Sequence, residues 1–150
     1  AMMQDDVETI AAATDMLAEA KLTPELRNEA LYFRAKAYLN QQADKKAMND
    51  LQALAKDTRT LYGAEAKYLV ALQLYKAHEY AAAEKEILNF IEQSTPHAYW
   101  LARSFILLSD VYVSMDKKLD ARQYLLSLQQ NYHADDDIEQ MINERLEKLK

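Results

Sequence analysis

The sequence predicts an all-α protein, and two features of its composition carry this prediction. The 150 residues include one glycine and two prolines, whereas the tight turns of a β-sandwich or barrel need many of both. Between these few breakers the chain consists mainly of Ala, Leu, Glu, Lys and Gln, which are strong helix formers. Half of the residues are hydrophobic, so the chain has enough apolar surface to offset the entropy lost on folding. We therefore expect helices throughout.

Helix openings divide the chain into regular segments. Thr23-Pro24 and Thr95-Pro96 form two identical opening pairs, in which Thr caps the free amide groups and Pro occupies the first helical position. A third opening is predicted halfway between them, at Arg59-Thr60. Helical periodicity between these points predicts eight helices, at residues 5–21, 24–41, 44–57, 60–77, 79–93, 96–115, 118–131 and 136–150.

The chain repeats itself at an interval of about 36 residues. The segment that begins at Glu29 aligns with the one that begins at Glu65, and a third copy begins at Ser104 once two extra residues are allowed in its turn. Two helix axes approach closely only where the side chains are small, so matching small residues predict helix crossings. Six such structural positions recur, at Ala35, Ala71 and Ser109 in the first helices and at Ala47, Ala83 and Ala121 in the second helices.

This pattern resembles the tetratricopeptide repeat (TPR) family over nearly the whole chain. Beside the small residues, Tyr38 and Tyr112 match the family's aromatic position in the first helix, and Leu51, Ile87 and Leu125 match the large position in the second. The chain departs from the family where Ala or Ser replaces the usual Gly. The resemblance implies a right-handed α-solenoid of antiparallel helix hairpins, with a half repeat at 1–22, full repeats at 23–59, 60–95 and 96–134, and a capping helix at 135–150.

The two predicted terminal helices differ in character. The last one carries a single apolar stripe and a highly charged back, as expected of a terminal cap. The first one, by contrast, resembles a second helix without its first-helix partner, because residues 12–21 echo residues 47–56. We therefore expect residues 1–150 to form a single TPR-like domain that is a fragment of a longer array.

Members of the TPR family bind partners in a concave groove lined by their first helices. The resemblance therefore places a partner-binding groove on this chain, where aromatic residues beside a few charges suit peptide recognition. The matching positions are Tyr32, Lys36, Leu39, Asn40, Tyr68, Leu72, Tyr75, Lys76, Arg103 and Asp110. Among them, Tyr32, Tyr68 and Tyr75 are expected to project into the groove. The alternative is that these tyrosines pack against adjacent helices.

No catalytic or cofactor-binding pattern emerges from the sequence. The chain has no cysteine, and its three histidines show no metal-binding spacing. The run Asp135–Asp137 lacks the glycine turn of a hard-cation loop and is better explained as a helix opening. Without flanking glycines, no serine has the setting of a nucleophile elbow. We predict no enzyme activity, no cofactor and no metal.

The leading hypothesis is a non-enzymatic scaffold that binds a protein or peptide in its groove. A structural array that self-associates into a homo-oligomer is the first alternative. RNA binding is the second, since pentatricopeptide repeats have a similar period, but the net charge of −6 disfavours nucleic acid. No segment reaches the length of a membrane span. Residues 64–112 also resemble the TPR lipoproteins of bacterial outer-membrane assembly, which favours the bacterial periplasm or cell envelope over the cytoplasm.

Overall fold

The computed structural model describes residues 2–19 and 21–150, and of residues 2–4 the backbone alone. Within these ranges the protein is all-α, with eight helices and no strand. The helices are α1 (Met2–Leu17), α2 (Pro24–Asn40), α3 (Asp44–Leu54), α4 (Leu61–Lys76), α5 (Tyr80–Glu92), α6 (Ala98–Ser114), α7 (Lys118–Asn131) and α8 (Ile138–Lys148). The prediction of an all-α fold is confirmed.

Two of the three predicted openings are threonine caps. The Oγ1 of Thr23 accepts a hydrogen bond from the amide of Leu26 at 3.3 Å, and Thr60 Oγ1 accepts one from the amide of Gly63 at 2.9 Å. Gly63 is required at its place because a Cβ there would overlap the carbonyl oxygen of Asp57. The single glycine of the chain therefore allows the α3–α4 turn to close tightly against the start of α4.

The third predicted opening, Thr95-Pro96, is wrong. Helix α6 begins two residues after Pro96, at Ala98, and His97 is its N-cap residue. The Oγ1 of Thr95 accepts the amide of His97 at 3.2 Å, and its hydroxyl donates to the carbonyl oxygen of Thr58 at 2.6 Å. The bond to Thr58 ties the α5–α6 turn to the α3–α4 turn.

Other boundaries also differ from the predictions. Helix α1 ends at Leu17, short of the predicted residue 21, and Ala20 lies outside the described residues. Helix α3 ends at Leu54 because Asp57 holds the following turn: its carbonyl oxygen accepts the hydroxyl of Thr60 at 3.0 Å. Helix α8 begins at Ile138, whose amide is bound by the side chain of Asp136 at 3.0 Å.

Equivalent left-handed residues end the first helix of each hairpin. Gln42, His78 and Asp116 have φ values of 60°, 62° and 60°. In each case the next residue's amide bonds back across the turn, as Glu79 does to the carbonyl oxygen of Leu74 at 2.9 Å. The three turns recur after 36 and then 38 residues, the same intervals that align the sequence copies. Backbone geometry therefore repeats with the sequence.

The order of helix contacts follows a simple rule in the described part of the chain. The even-numbered helices touch in series, with α2 on α4, α4 on α6 and α6 on α8. Helices α3, α5 and α7 each pack between two consecutive even helices and do not approach one another, and α1 approaches α2 alone. The even helices thus form one continuous series, and each odd helix packs against members of that series.

The six small positions lie inside this packing. Their side chains are at most 1% exposed, and they comprise Ala35, Ala47, Ala71, Ala83, Ser109 and Ala121. The hydroxyl of Ser109 is satisfied within its own helix, since it donates to the carbonyl oxygen of Ile106 at 2.6 Å. Larger side chains such as Leu51, Ile87 and Leu108 fill the adjacent core, each at most 1% exposed.

Candidate functional site

The candidate site is the surface formed by α2, α4, α6 and α8, which we call the even-helix face. It contains all ten residues that the sequence assigned to a groove except Asn40. The side-chain amide of Asn40 donates to Asp6 of α1 at 3.4 Å, which turns it toward α1. The other nine belong to two regions with different properties. One region is closed by bonds between consecutive repeats, and the other is open.

The first bonded contact joins α2 to α4. Tyr32 donates its hydroxyl to the carboxylate of Glu65, with both oxygens at 3.1 Å, and the Lys36 ammonium lies 3.1 Å from Oε2. Glu65 is 8% exposed, so these two donors compensate a charge that has lost most of its hydration. Burial, together with the negative charge of Glu65, raises the pKa of Tyr32 to about 12.

The second bonded contact joins α4 to α6. Arg103 donates to the hydroxyl of Tyr68 at 3.1 Å and to that of Tyr99 at 2.9 Å. The ring of Tyr68 also packs against Trp100, with centroids 5.6 Å apart. Tyr68 is only 6% exposed, so the expectation that it projects into a groove is wrong. The alternative interpretation, packing against an adjacent helix, describes it.

The third bonded contact joins α6 to α8. Arg145 donates to both carboxylate oxygens of Asp110, at 2.9 and 3.0 Å, in a bidentate pair. Asp110 is therefore occupied by α8. Sequence reasoning did not identify Arg145, although the spacing between bonded partners in consecutive repeats could have indicated it. The partners Tyr68 and Arg103 are 35 residues apart, and so are Asp110 and Arg145.

The open region lies at the C-terminal ends of α2, α4 and α6. A depression of about 540 Å³ on one side of α4 is lined by Leu39, Leu72 and Lys76, among others. A second depression, also about 540 Å³, lies on the other side of α4 and includes Tyr75 and Val113. The structure thus brings the apolar members of the predicted groove together around the end of one helix.

Charged side chains of both signs border this open region. Lys76 and Asp44 line the first depression, and Lys118, Lys148 and Glu144 line the second, together with the bonded pair of Asp110 and Arg145. No carboxylate of the described residues pairs with these three ammonium groups. Sequence reasoning named Lys76 but not the other two, which come from α7 and α8 and reach the region through the stacking of the helices.

The rest of the described chain offers little else for chemistry. No group of three His, Asp or Glu side chains is arranged to hold a metal ion in the ranges that the structure describes. Among the same residues, no helix combines the length and the apolar character needed to cross a bilayer. Two histidines have local roles, since His78 lies in a left-handed turn and His97 precedes α6.

Comparison with family models, with curated proteins and with solved structures finds no match for this chain. The interpretation of the even-helix face therefore depends on its own geometry.

Proposed function

We propose that this chain is a non-enzymatic protein-interaction module, organised as a right-handed TPR-like solenoid, which binds a peptide in the open region of the even-helix face. Support for the repeat architecture comes from the serial contacts of the even helices and from left-handed turns at Gln42, His78 and Asp116, which recur at the sequence interval. A face built from the first helix of every hairpin is continuous, so an extended chain is able to lie across several repeats.

The observation that carries the binding proposal is that exposed and half-buried apolar side chains lie in these depressions beside lysines with no carboxylate partner among the described residues. Val113 is 41% exposed, and Leu72 and Tyr75 are half-buried around the end of α4. Such side chains can gain contact area with a partner at small entropic cost because their backbone is already helical. Lys76 and Lys148 would then favour a peptide that carries acidic side chains beside its apolar ones.

A display screen tests this proposal. A random peptide library is selected on the 150-residue protein, and the selected peptides are measured against Val113→Asp and Lys76→Glu. Each substitution should weaken binding by about tenfold, as loss of an interface contact worth roughly 1.4 kcal/mol would. Both side chains are exposed, so the variants should fold like the wild type.

The matched control is Leu119→Asp. Leu119 lies at the start of α7, is 83% exposed and does not line either depression. It receives the same charge as Val113→Asp, so peptide affinity should not change. A library that yields no binder, or binders that Leu119→Asp weakens as much as Val113→Asp, would reject the open region as the binding surface.

A further inference from the structure

The second depression of the open region depends on α8 for part of its lining. Three residues of α8 contribute to it, namely Glu144, Arg145 and Lys148. The lining of the first depression, by contrast, comes from the segment 39–76. The second depression therefore has its observed shape only while the C-terminal half of α8 lies against α6.

The two halves of α8 are attached to the fold in different ways. Ile138 and Ile142 of the first half are 1% and 2% exposed and belong to the same core cluster as Leu125. In the segment 143–150, all of which the structure describes, no residue is fully buried. Leu146 and Leu149 are half-buried at the edge of the core. The half of α8 that lines the depression thus has the weaker apolar attachment.

A polar pair compensates for this weaker attachment. Arg145 donates to both carboxylate oxygens of Asp110 on α6, at 2.9 and 3.0 Å. The two side chains are 27% and 26% exposed, so water competes for them only in part. A longer bond of 3.5 Å joins the side-chain amide of Gln129 to Asn143. Because bidentate bonds between charged groups are the stronger kind, the pair of Asp110 and Arg145 is the main polar link from this half of α8 to another helix.

Helix α8 is too short to persist without its neighbours. It has 11 residues, whereas isolated helices shorter than about 12–15 residues are marginal in water. Elements with few buried apolar side chains open at a lower free energy than the core of a protein does. We therefore expect the last turns of α8 to leave α6 and lose their helical structure while the other helices stay folded.

We propose that Asp110 and Arg145 are positioning residues of the binding site, which hold the C-terminal half of α8 where it completes the second depression, so that peptide binding there and docking of α8 stabilise each other. This inference rests on the proposed function of the open region. A ligand that binds only the docked form shifts the docking equilibrium toward that form, and the effect is reciprocal. Helix α8 then selects among partners, because a peptide confined to the first depression does not depend on it.

Amide hydrogen exchange measures the docking of α8 in the free protein. The reporters are the amides of residues 142–148, which bond within α8. They should exchange faster than the amides of α6, because they open without global unfolding. Asp110→Asn removes one charge of the pair and should accelerate their exchange about tenfold. The exchanged pair, Asp110→Arg with Arg145→Asp, should restore most of the protection, because it again places opposite charges on α6 and α8.

The matched control is Glu147→Gln. Glu147 pairs with Lys150 at 3.0 Å, both side chains are 72% exposed, and neither residue lines either depression. This substitution removes a carboxylate charge, as Asp110→Asn does, but it breaks no link to another helix. The exchange rates of residues 142–148 should therefore stay within about twofold of the wild type.

A bound peptide tests the coupling. The probe is a peptide from the display selection whose affinity Lys148→Glu lowers. At a free concentration of about 100 times its Kd, it should slow exchange of residues 142–148 about 100-fold, because the undocked form does not bind it. The amides of α1 should not slow, since local opening of α1 leaves the second depression intact. A selected peptide that Lys76→Glu weakens and Lys148→Glu does not should leave the α8 rates unchanged.

The outcomes separate this inference from the proposed function. Equal protection of α8 and α6 in the free protein, or equal rates in Asp110→Asn and Glu147→Gln, would overturn the positioning role. A peptide that Lys148→Glu weakens but that leaves the α8 rates unchanged would overturn the coupling alone, as would a set of binders none of which Lys148→Glu weakens. A library without binders would reject the proposed function and the coupling with it, and the rates in the free protein would still decide whether the pair holds α8.

Discussion

Substitution of Ala71 by leucine tests the packing rule on which the fold depends. Ala71 of α4 is 1% exposed and belongs to the same core cluster as Ala83 of α5. A leucine at this position adds three carbon atoms to a site that already lacks free space. The surrounding helices must then move apart or the side chain must leave its preferred rotamer, because protein cores are packed as densely as organic crystals.

The expected cost follows from known overpacking effects. Extra methylene groups in a well-packed core destabilise by about 1–3 kcal/mol, and a domain of this size loses about 2–4 °C of Tm per kcal/mol. Ala71→Leu should therefore melt roughly 2–12 °C below the wild type, as followed by helical circular dichroism. Leucine and alanine are both strong helix formers, so helix propensity does not account for such a loss.

The control for this prediction is Ala82→Leu. Ala82 is exposed on α5, so the same substitution should change the free energy of unfolding by less than about 0.5 kcal/mol. If Ala71→Leu and Ala82→Leu melt together with the wild type, the crossing of α4 and α5 has room for a large side chain. The physical reason given for the recurring alanines would then be wrong.

Two further predictions concern bonds between helices. Tyr32 has a pKa of about 12 in the fold against 10.0 for a free phenol, so its contribution to stability is present below pH 10 and is lost as pH rises from 10 to 12. In urea titrations, Tyr32→Phe should reduce the decrease in the free energy of unfolding over this pH range. If the substitution leaves the pH profile unchanged, another group causes the decrease. Arg34 binds Asp50 in a bidentate pair at 2.6 and 2.7 Å. Asp50→Ala should therefore lower the free energy of unfolding by about 1–3 kcal/mol, because it leaves the Arg34 guanidinium without its partner. In a double-mutant cycle, the apolar double substitution Arg34→Met with Asp50→Leu should recover most of this lost stability.

Local and periodic features of the fold could be predicted from the sequence. The caps at Thr23 and Thr60 need only a hydroxyl followed by a free amide three residues later, so both appear in the chain itself. The buried small residues follow from the 36-residue interval, since a stacked repeat places equivalent residues in equivalent surroundings. The all-α class follows from the scarcity of glycine and proline, and the number of helices follows from the helical periodicity between the predicted openings.

Features that depend on distant partners could not be predicted. Thr95 has the sequence of a helix cap, yet α6 begins only at Ala98, and the Thr95 hydroxyl donates to the carbonyl oxygen of Thr58, which lies 37 residues earlier. Tyr68 has the position of a groove residue, yet Arg103 and Trp100 of the next repeat cover it. In both cases the deciding atom belongs to another repeat, and a local pattern contains no information about which repeat it will meet.

The bonded contacts of the even-helix face also explain how a repetitive chain keeps its helices in order. The contact of α2 with α4 uses Glu65 as the acceptor, that of α4 with α6 uses Arg103 as the donor, and that of α6 with α8 uses Asp110 as the acceptor. Because the three differ, they are not interchangeable. If α6 packed on the side of α4 that now receives α2, Asp110 would take the place of Lys36, and its carboxylate would repel the buried carboxylate of Glu65. The apolar core discriminates less, since its small and large residues recur at equivalent positions with only minor changes, as in Leu51, Ile87 and Leu125. Polar pairs that vary from one interface to the next therefore supply the register that the repeated core cannot.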